Sequence, residues 1–280
     1  MKLKNIPVFV INLEASKERR LAMQCVLDAI DLSSIFIDAV DGRLLGDDVK
    51  RAYEKEKSLD KIGRELSASE IGCALSHINI YKEMITNNIE VSLILEDDVS
   101  FNNGFLPVLN KFKSFPDDWE LVHLGHHGEI SRSAETIVSV WGRLALTLGF
   151  QLARPAERVS GTYGYLINQA GAKKLLNLTM PLFKPIDHYT GNSSYLNVYV
   201  VTPAVVEVND YLSDNYHTMS DREALSAIDG RTLGYSRFSW YKKLAINMGL
   251  YKFLAYILYK VKSPWQFLRP LKPYVKRKQG

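Results

Sequence analysis

The stretch Val91-Ser-Leu-Ile-Leu-Glu-Asp-Asp98 decides the fold and locates the chemistry. Its first five residues form a short apolar run, the mark of a strand buried on both faces. The run passes without a turn residue into Glu96, Asp97 and Asp98, so the strand surfaces at three adjacent carboxylates. Neighbouring acids repel one another, and partial burial at a strand end makes full ionisation costly without a compensating cation. Mg²⁺ or Mn²⁺, which take oxygen ligands, meet both demands. A solvated acidic turn is the competing reading.

The segments on either side place this strand in an alternating pattern. Upstream, Val8-Phe-Val-Ile-Asn-Leu13 is another short β-branched run, and residues 16–30 follow with Leu21, Val26, Leu27 and Ile30 at helical spacing and Ser16 at the N-cap. Ile35-Phe-Ile-Asp-Ala-Val40 reads as a second strand, closed by the turn pair Asp41-Gly42. Residues 47–64 are charged and lack an apolar stripe, which predicts an exposed excursion. Residues 67–87 return to helical periodicity, and Ser67-x-x-Glu70 has the form of a capping box.

Downstream, the pattern predicts a helix over 104–112, a strand over 119–125, strands around a loop within 131–152, a strand over 161–168 and a helix over 169–178. Strands alternating with helices argue for a three-layer α/β domain with a mostly parallel sheet, whose ligands bind at the carboxyl ends of the strands.

Composition bounds the function. The 280 residues are 46% hydrophobic and 24% charged, ordinary values for a globular chain able to bury its core without staples. The net charge of +4 is unevenly spread. Residues 235–280 hold eleven Lys/Arg and no acid, leaving −7 on residues 1–234. An acidic body speaks against nucleic acid as a partner. Within the tail, residues 241–261 project as an amphipathic helix with Tyr and Lys on one side, too interrupted to span a bilayer but suited to an anionic membrane surface.

The domain expectation is therefore a catalytic unit over 1–234 and a membrane-association segment over 235–280. Two lone cysteines, Cys25 and Cys73, and an N-terminal apolar run too short for a signal peptide point to a cytoplasmic protein, with the basic tail peripherally associated with an anionic membrane surface. No Walker A, G-x-G-x-x-G, H-E-x-x-H or G-x-S-x-G sequence occurs, which removes the usual support for ATPase, dehydrogenase, zincin and hydrolase readings.

Several motifs then fall in order: Val10-Ile-Asn-Leu-x-x-Ser-x-x-Arg-Arg20, Ala39-Val-Asp-Gly42, Glu70-Ile-Gly-Cys-x-x-Ser-His77, Leu93-Ile-Leu-Glu-Asp-Asp98, Val122-His-Leu-Gly125 and Gly161-Thr-x-x-Tyr-Leu-Ile167. Over roughly the first 215 residues the chain resembles glycosyltransferase family 25, the lipooligosaccharide-biosynthesis galactosyl- and glucosyltransferases. The resemblance implies a GT-A type fold and inverting transfer of a hexose from UDP-galactose or UDP-glucose to a lipooligosaccharide core. It also implies Mn²⁺ or Mg²⁺ held by Asp98 and Glu96, with His217 or His188 as a further ligand, and Asp97 on the donor.

Asn12, Leu13, Ser16, Arg19, Arg20, Asp41 and His77 are the remaining donor-binding candidates. Asp187, in the Pro-x-Asp segment, is the candidate general base, with Glu129 and Asp214 behind it; a structural capping role is its alternative. His123 reads as a core residue, whereas His126 and His127 fall in the loop beyond it. The rival functions are a Mg²⁺-dependent phosphohydrolase and a non-catalytic glycan- or lipid-binding module.

Overall fold

A computed structural model of the chain describes residues 6–46, 53–128, 136–139 and 141–209. The candidates Glu129, Asp214 and His217 and the whole of residues 235–280 lie outside this set. Strand β1 (Val8–Asn12) enters helix α1 (Lys17–Ala29) and returns as β2 (Ile35–Asp38). Next come α2 (Lys55–Ile62), α3 (Ala68–Thr86), β3 (Val91–Glu96), the short β4 (Val99–Phe101) and α4 (Phe105–Leu109). The second half comprises β5 (Leu121–His123), β6 (His127–Gly128), the hairpin β7 (Leu144–Thr147) and β8 (Phe150–Ala153), β9 (Val159–Ser160), β10 (Gly164–Asn168), α5 (Gln169–Leu178), α6 (Asp187–Thr190), β11 (Val198–Thr202) and β12 (Val206–Val208).

Eight strands form one sheet in the order β2-β1-β3-β10-β5-β11-β8-β7. β1 pairs in parallel with β2 and β3, and β5 with β11, whereas β10 and β8 run antiparallel to their neighbours. Six of the eight strands therefore share one direction and two are reversed. β10 must be reversed because the chain enters it from the carboxyl edge, where Tyr163 O accepts the Glu96 amide at 3.0 Å.

Alternate residues of the central strands divide between two cores. Val8, Val10, Leu93 and Leu95 pack with Met23 and Leu27 of α1 and Phe105 and Val108 of α4. Phe9, Ile11 and Ile94 pack instead with Ile71, Ile80 and Met84 of α3 and Ala172 and Leu175 of α5. Helices on both faces explain why these strands read as unbroken apolar runs. This is the three-layer α/β arrangement expected.

Local expectations meet the structure unevenly. The capping box is complete: Ser67 Oγ accepts from the Glu70 amide, and Glu70 accepts from the Ser67 amide. In α1, by contrast, Met23 and Leu27 face the core, while Leu21 and Val26 are exposed. Ser16 stands at the N-cap without a side-chain cap bond. The excursion expected over 47–64 contains helix α2, tied down because Ser58 is buried and its hydroxyl donates to Arg64 O at 2.7 Å. The helix expected over 104–112 ends at Leu109, and a separate 3-10 turn covers Phe112–Ser114.

Candidate active site

The carboxyl ends of β1 and β3 lie side by side, with Ile11 opposite Glu96. That register brings Asn12 to the acidic triplet: its Nδ2 donates to Asp97 Oδ2 at 2.5 Å and to Ser16 O at 3.1 Å. Arg19 Nε stands 3.5 Å from the same carboxylate oxygen, and its Nη2 donates to Ser16 Oγ at 2.8 Å. Burial pushes the Asp97 carboxyl upward from its usual range, opposed by the Asn12 hydrogen bond and the Arg19 charge. One turn of α1 and one strand end thus fix the middle acid of the triplet.

Its two neighbours have other partners. Asp98 is buried, 7% exposed, and its backbone oxygen accepts from the Asn209 amide at 2.7 Å, anchoring it where β12 pairs with β4. Glu96 turns towards β10, where Thr162 Oγ1 donates to its Oε1 at 2.9 Å. His77 Nε2 lies 3.7 Å from that oxygen. The imidazole is fully buried, and its Nδ1 meets the Tyr165 hydroxyl at 2.7 Å. His77 therefore reaches Glu96 from inside the protein.

The other donor-binding candidates divide. Leu13 O accepts the Ser16 amide at 2.8 Å and shapes the β1–α1 turn. Arg20 is engaged by β2, 3.6 Å from Asp38 and with its guanidinium 4.6 Å from the Phe36 ring centre. Asp41 is engaged by Arg43, whose amide, Nε and Nη2 all donate to it, and this holds its carboxyl below the usual range.

The Ala39-Val-Asp-Gly42 segment has a packing role that its sequence concealed. A Cβ on Gly72 would stand 2.3 Å from Val40 O, and one on Gly42 would stand 1.7 Å from Ala68 O. Both glycines are required because this segment lies directly on α3. Ser76 Oγ locks the contact by accepting from the Val40 amide at 2.9 Å and donating to Gly72 O at 2.8 Å.

Asp187 opens α6 and is half-buried; its charge bears on Cys73, His127 and His188. Ile186, not Asp187, is the N-cap, so the capping alternative does not describe it. His188 Nε2 accepts from Arg158 Nη2 at 3.0 Å, and burial chiefly holds its pKa down to about 4. His123 is in the core with its pKa lowered by burial to about 3. His126 is likewise neutral, lowered to about 4 by burial, with its ring bonded to Thr136 Oγ1 and Val201 O. His127 is exposed and stacks on Tyr163. Thr162 and Tyr165 belong to a motif legible in the sequence, but their contacts with Glu96 and His77 were not, since only the reversal of β10 brings that segment against them.

The profile of glycosyltransferase family 25, described as an LPS biosynthesis protein family, matches residues 5–190. The chain belongs to glycosyltransferase family 25. It is 32% identical over 197 residues to procollagen galactosyltransferase 1-B of Xenopus laevis, a match covering 65% of this chain and 30% of that protein. It is 31% identical over 200 residues to the inactive glycosyltransferase 25 family member 3 of Homo sapiens, again covering 65% and 30%. This family 25 chain thus corresponds to under a third of the length of those relatives. Among solved structures, a glycosyltransferase involved in the glycosylation of the major capsid of PBCV-1 aligns over 78% of this chain and 98% of its own, with a TM-score of 0.37 and 10% identity. That likeness is too low to add to the topology described above.

Proposed function

We propose that the chain is an active inverting glycosyltransferase that moves a hexose from UDP-galactose or UDP-glucose to a hydroxyl of a lipooligosaccharide core. The observation that carries this reading is the acidic triplet at the carboxyl edge of the sheet, with Asp97 clamped by Asn12 and Arg19. That edge is where α/β sheets bind ligands, and a guanidinium held by Ser16 and Asp97 is placed to receive anionic oxygens. The galactosyltransferase relatives support a hexose donor, and the family's description supports the lipopolysaccharide-type acceptor.

Two carboxylates fit a divalent ion. Asp98 is buried two residues from Glu96, and one oxygen of the intervening Asp97 is already engaged by Asn12, so Asp98 and Glu96 are the residues that would hold Mn²⁺ or Mg²⁺. Bound there, the ion would supply Lewis-acid stabilisation of charge on the departing diphosphate. Inversion is one displacement: the acceptor oxygen bonds to the anomeric carbon as the sugar–phosphate bond breaks, and the hydroxyl proton passes to a carboxylate, here Asp187. The acid-free segment 235–280 would hold the enzyme against the anionic cytoplasmic face of the inner membrane, close to a lipid-linked acceptor.

A second reading is a non-catalytic glycan-binding module, favoured by the equal similarity to an inactive relative. UDP release from a donor panel with Mn²⁺ separates the two. The expected outcome is turnover with one UDP-hexose, reduced at least a hundredfold by Asp98→Ala with thermal unfolding unchanged. Release from none of the donors would favour the module, and full activity in Asp98→Ala would remove that residue's role.

A further inference from the structure

Behind the acidic triplet, Cys73 and His77 stand four residues apart on α3 and so share one helix face, which turns towards the end of β3. A sulfur of Cys73, a ring nitrogen of His77 and a carboxylate oxygen of Glu96 all lie within 4.8 Å of one another. His77 is fully buried, and its Nε2, the nitrogen 3.7 Å from Glu96 Oε1, has no hydrogen-bond partner. A buried imidazole nitrogen aimed at a carboxylate and a thiol is a costly arrangement unless something occupies the space between them.

The surroundings are arranged for an imidazole that ligates through Nε2. With its lone pair on Nε2, the ring carries its proton on Nδ1 and donates it to the Tyr165 hydroxyl at 2.7 Å. Tyr165 in turn meets the Tyr81 hydroxyl at 2.8 Å. Metal-bound histidines are commonly oriented in this way, by a fixed acceptor on the far nitrogen. Thr162 fixes the carboxylate by donating to Glu96 Oε1 at 2.9 Å.

We propose that Cys73, His77 and Glu96 form a binding site for a thiophilic divalent ion of the Zn²⁺ class, which shares Glu96 with the donor-side Mn²⁺ or Mg²⁺ and adds a sulfur and a nitrogen ligand of its own. A sulfur and nitrogen donor set selects against those harder ions. Ligands at about 2.0–2.3 Å in tetrahedral geometry stand roughly 3.3–3.8 Å apart, so the 3.7 Å between His77 and Glu96 needs little change. The Cys73 sulfur lies within 4.8 Å of both other ligand atoms. Binding forms the S–Zn and N–Zn bonds and releases the Cys73 thiol proton to solvent. Because Glu96 is shared, Zn²⁺ here withdraws that carboxylate from the donor side and inhibits transfer. The site itself does not depend on the chain being an active transferase.

The test uses the full chain stripped of metal and titrated with Co²⁺. The expected result is a near-ultraviolet thiolate-to-cobalt band that saturates at one equivalent and is displaced by Zn²⁺. Cys73→Ser should remove the band, and replacement of the exposed Cys25 by Ser should leave it. Tyr165→Phe should weaken Zn²⁺ binding roughly 10- to 100-fold. X-ray absorption of the Zn²⁺-loaded wild-type chain, which needs no variant to fold, should find one sulfur at about 2.3 Å. Absence of the band, its persistence in Cys73→Ser, or a zinc shell of nitrogen and oxygen only would overturn the proposal.

Discussion

Asp97 illustrates how far a single residue's role lies beyond its local sequence. Glu96, Asp97 and Asp98 look equivalent on the page, yet Asp97 bonds Asn12, Glu96 bonds Thr162, and Asp98 is anchored through its backbone to Asn209. Residues that look alike in the sequence thus meet different partners in the fold. Asp187 is the residue on which the proposed chemistry turns. It is outside the triplet, half-buried, and close enough for its charge to bear on His127 and Cys73. Asp187→Asn should lower kcat by roughly 10²–10⁴-fold while leaving the Kd for UDP within about threefold, read by UDP release and calorimetry. An unchanged kcat would move the base role to Glu129 or Asp214.

At the scale of elements, the contact between residues 39–42 and α3 is the clearest test of packing. Alanine inside a helix is favoured over glycine by about 1 kcal/mol. At Gly72 that gain is opposed by a Cβ standing 2.3 Å from the Val40 carbonyl oxygen, which is backbone and cannot rotate aside. Overpacking of this kind costs about 1–3 kcal/mol or more, so the clash outweighs the propensity. Gly72→Ala should lower Tm by roughly 2–4 °C in a thermal melt, and an equal or higher Tm would show that the segment gives way. The motif glycines were legible as letters; their reason was not, because no local periodicity reports that two backbones touch. Helix α2 was missed for a related cause. Its sequence has no apolar stripe, and it is held by Ser58 and by Tyr53, whose hydroxyl accepts from the Leu66 amide at 2.9 Å.

At the scale of the whole molecule, the charge partition is the dominant feature. Residues 1–234 carry −7 and residues 235–280 carry +11. A basic residue near an anionic leaflet contributes about 1 kcal/mol, so even partial engagement of the tail would hold the chain at a membrane. Deletion of 235–280 should reduce co-sedimentation with phosphatidylserine vesicles severalfold at low salt, with the difference vanishing as salt rises. Equal sedimentation of both forms would end the membrane role. Among the described residues no helix is long and apolar enough to cross a bilayer.

By itself the sequence determined the local architecture: the apolar runs of β1 and β3, the capping box at Ser67, and the β10–α5 junction at Asn168, whose side chain accepts from the Gly171 amide. These depend on side-chain period and on groups a few residues apart, which a linear reading contains. Only the tertiary structure decided which distant groups meet. The reversal of β10 sets Thr162 beside Glu96 and Tyr165 against His77, across separations of 66 and 88 residues. Strand order and direction follow from how two cores close over one sheet, a balance of packing summed over the whole chain. The chemistry of the site rests on that sum.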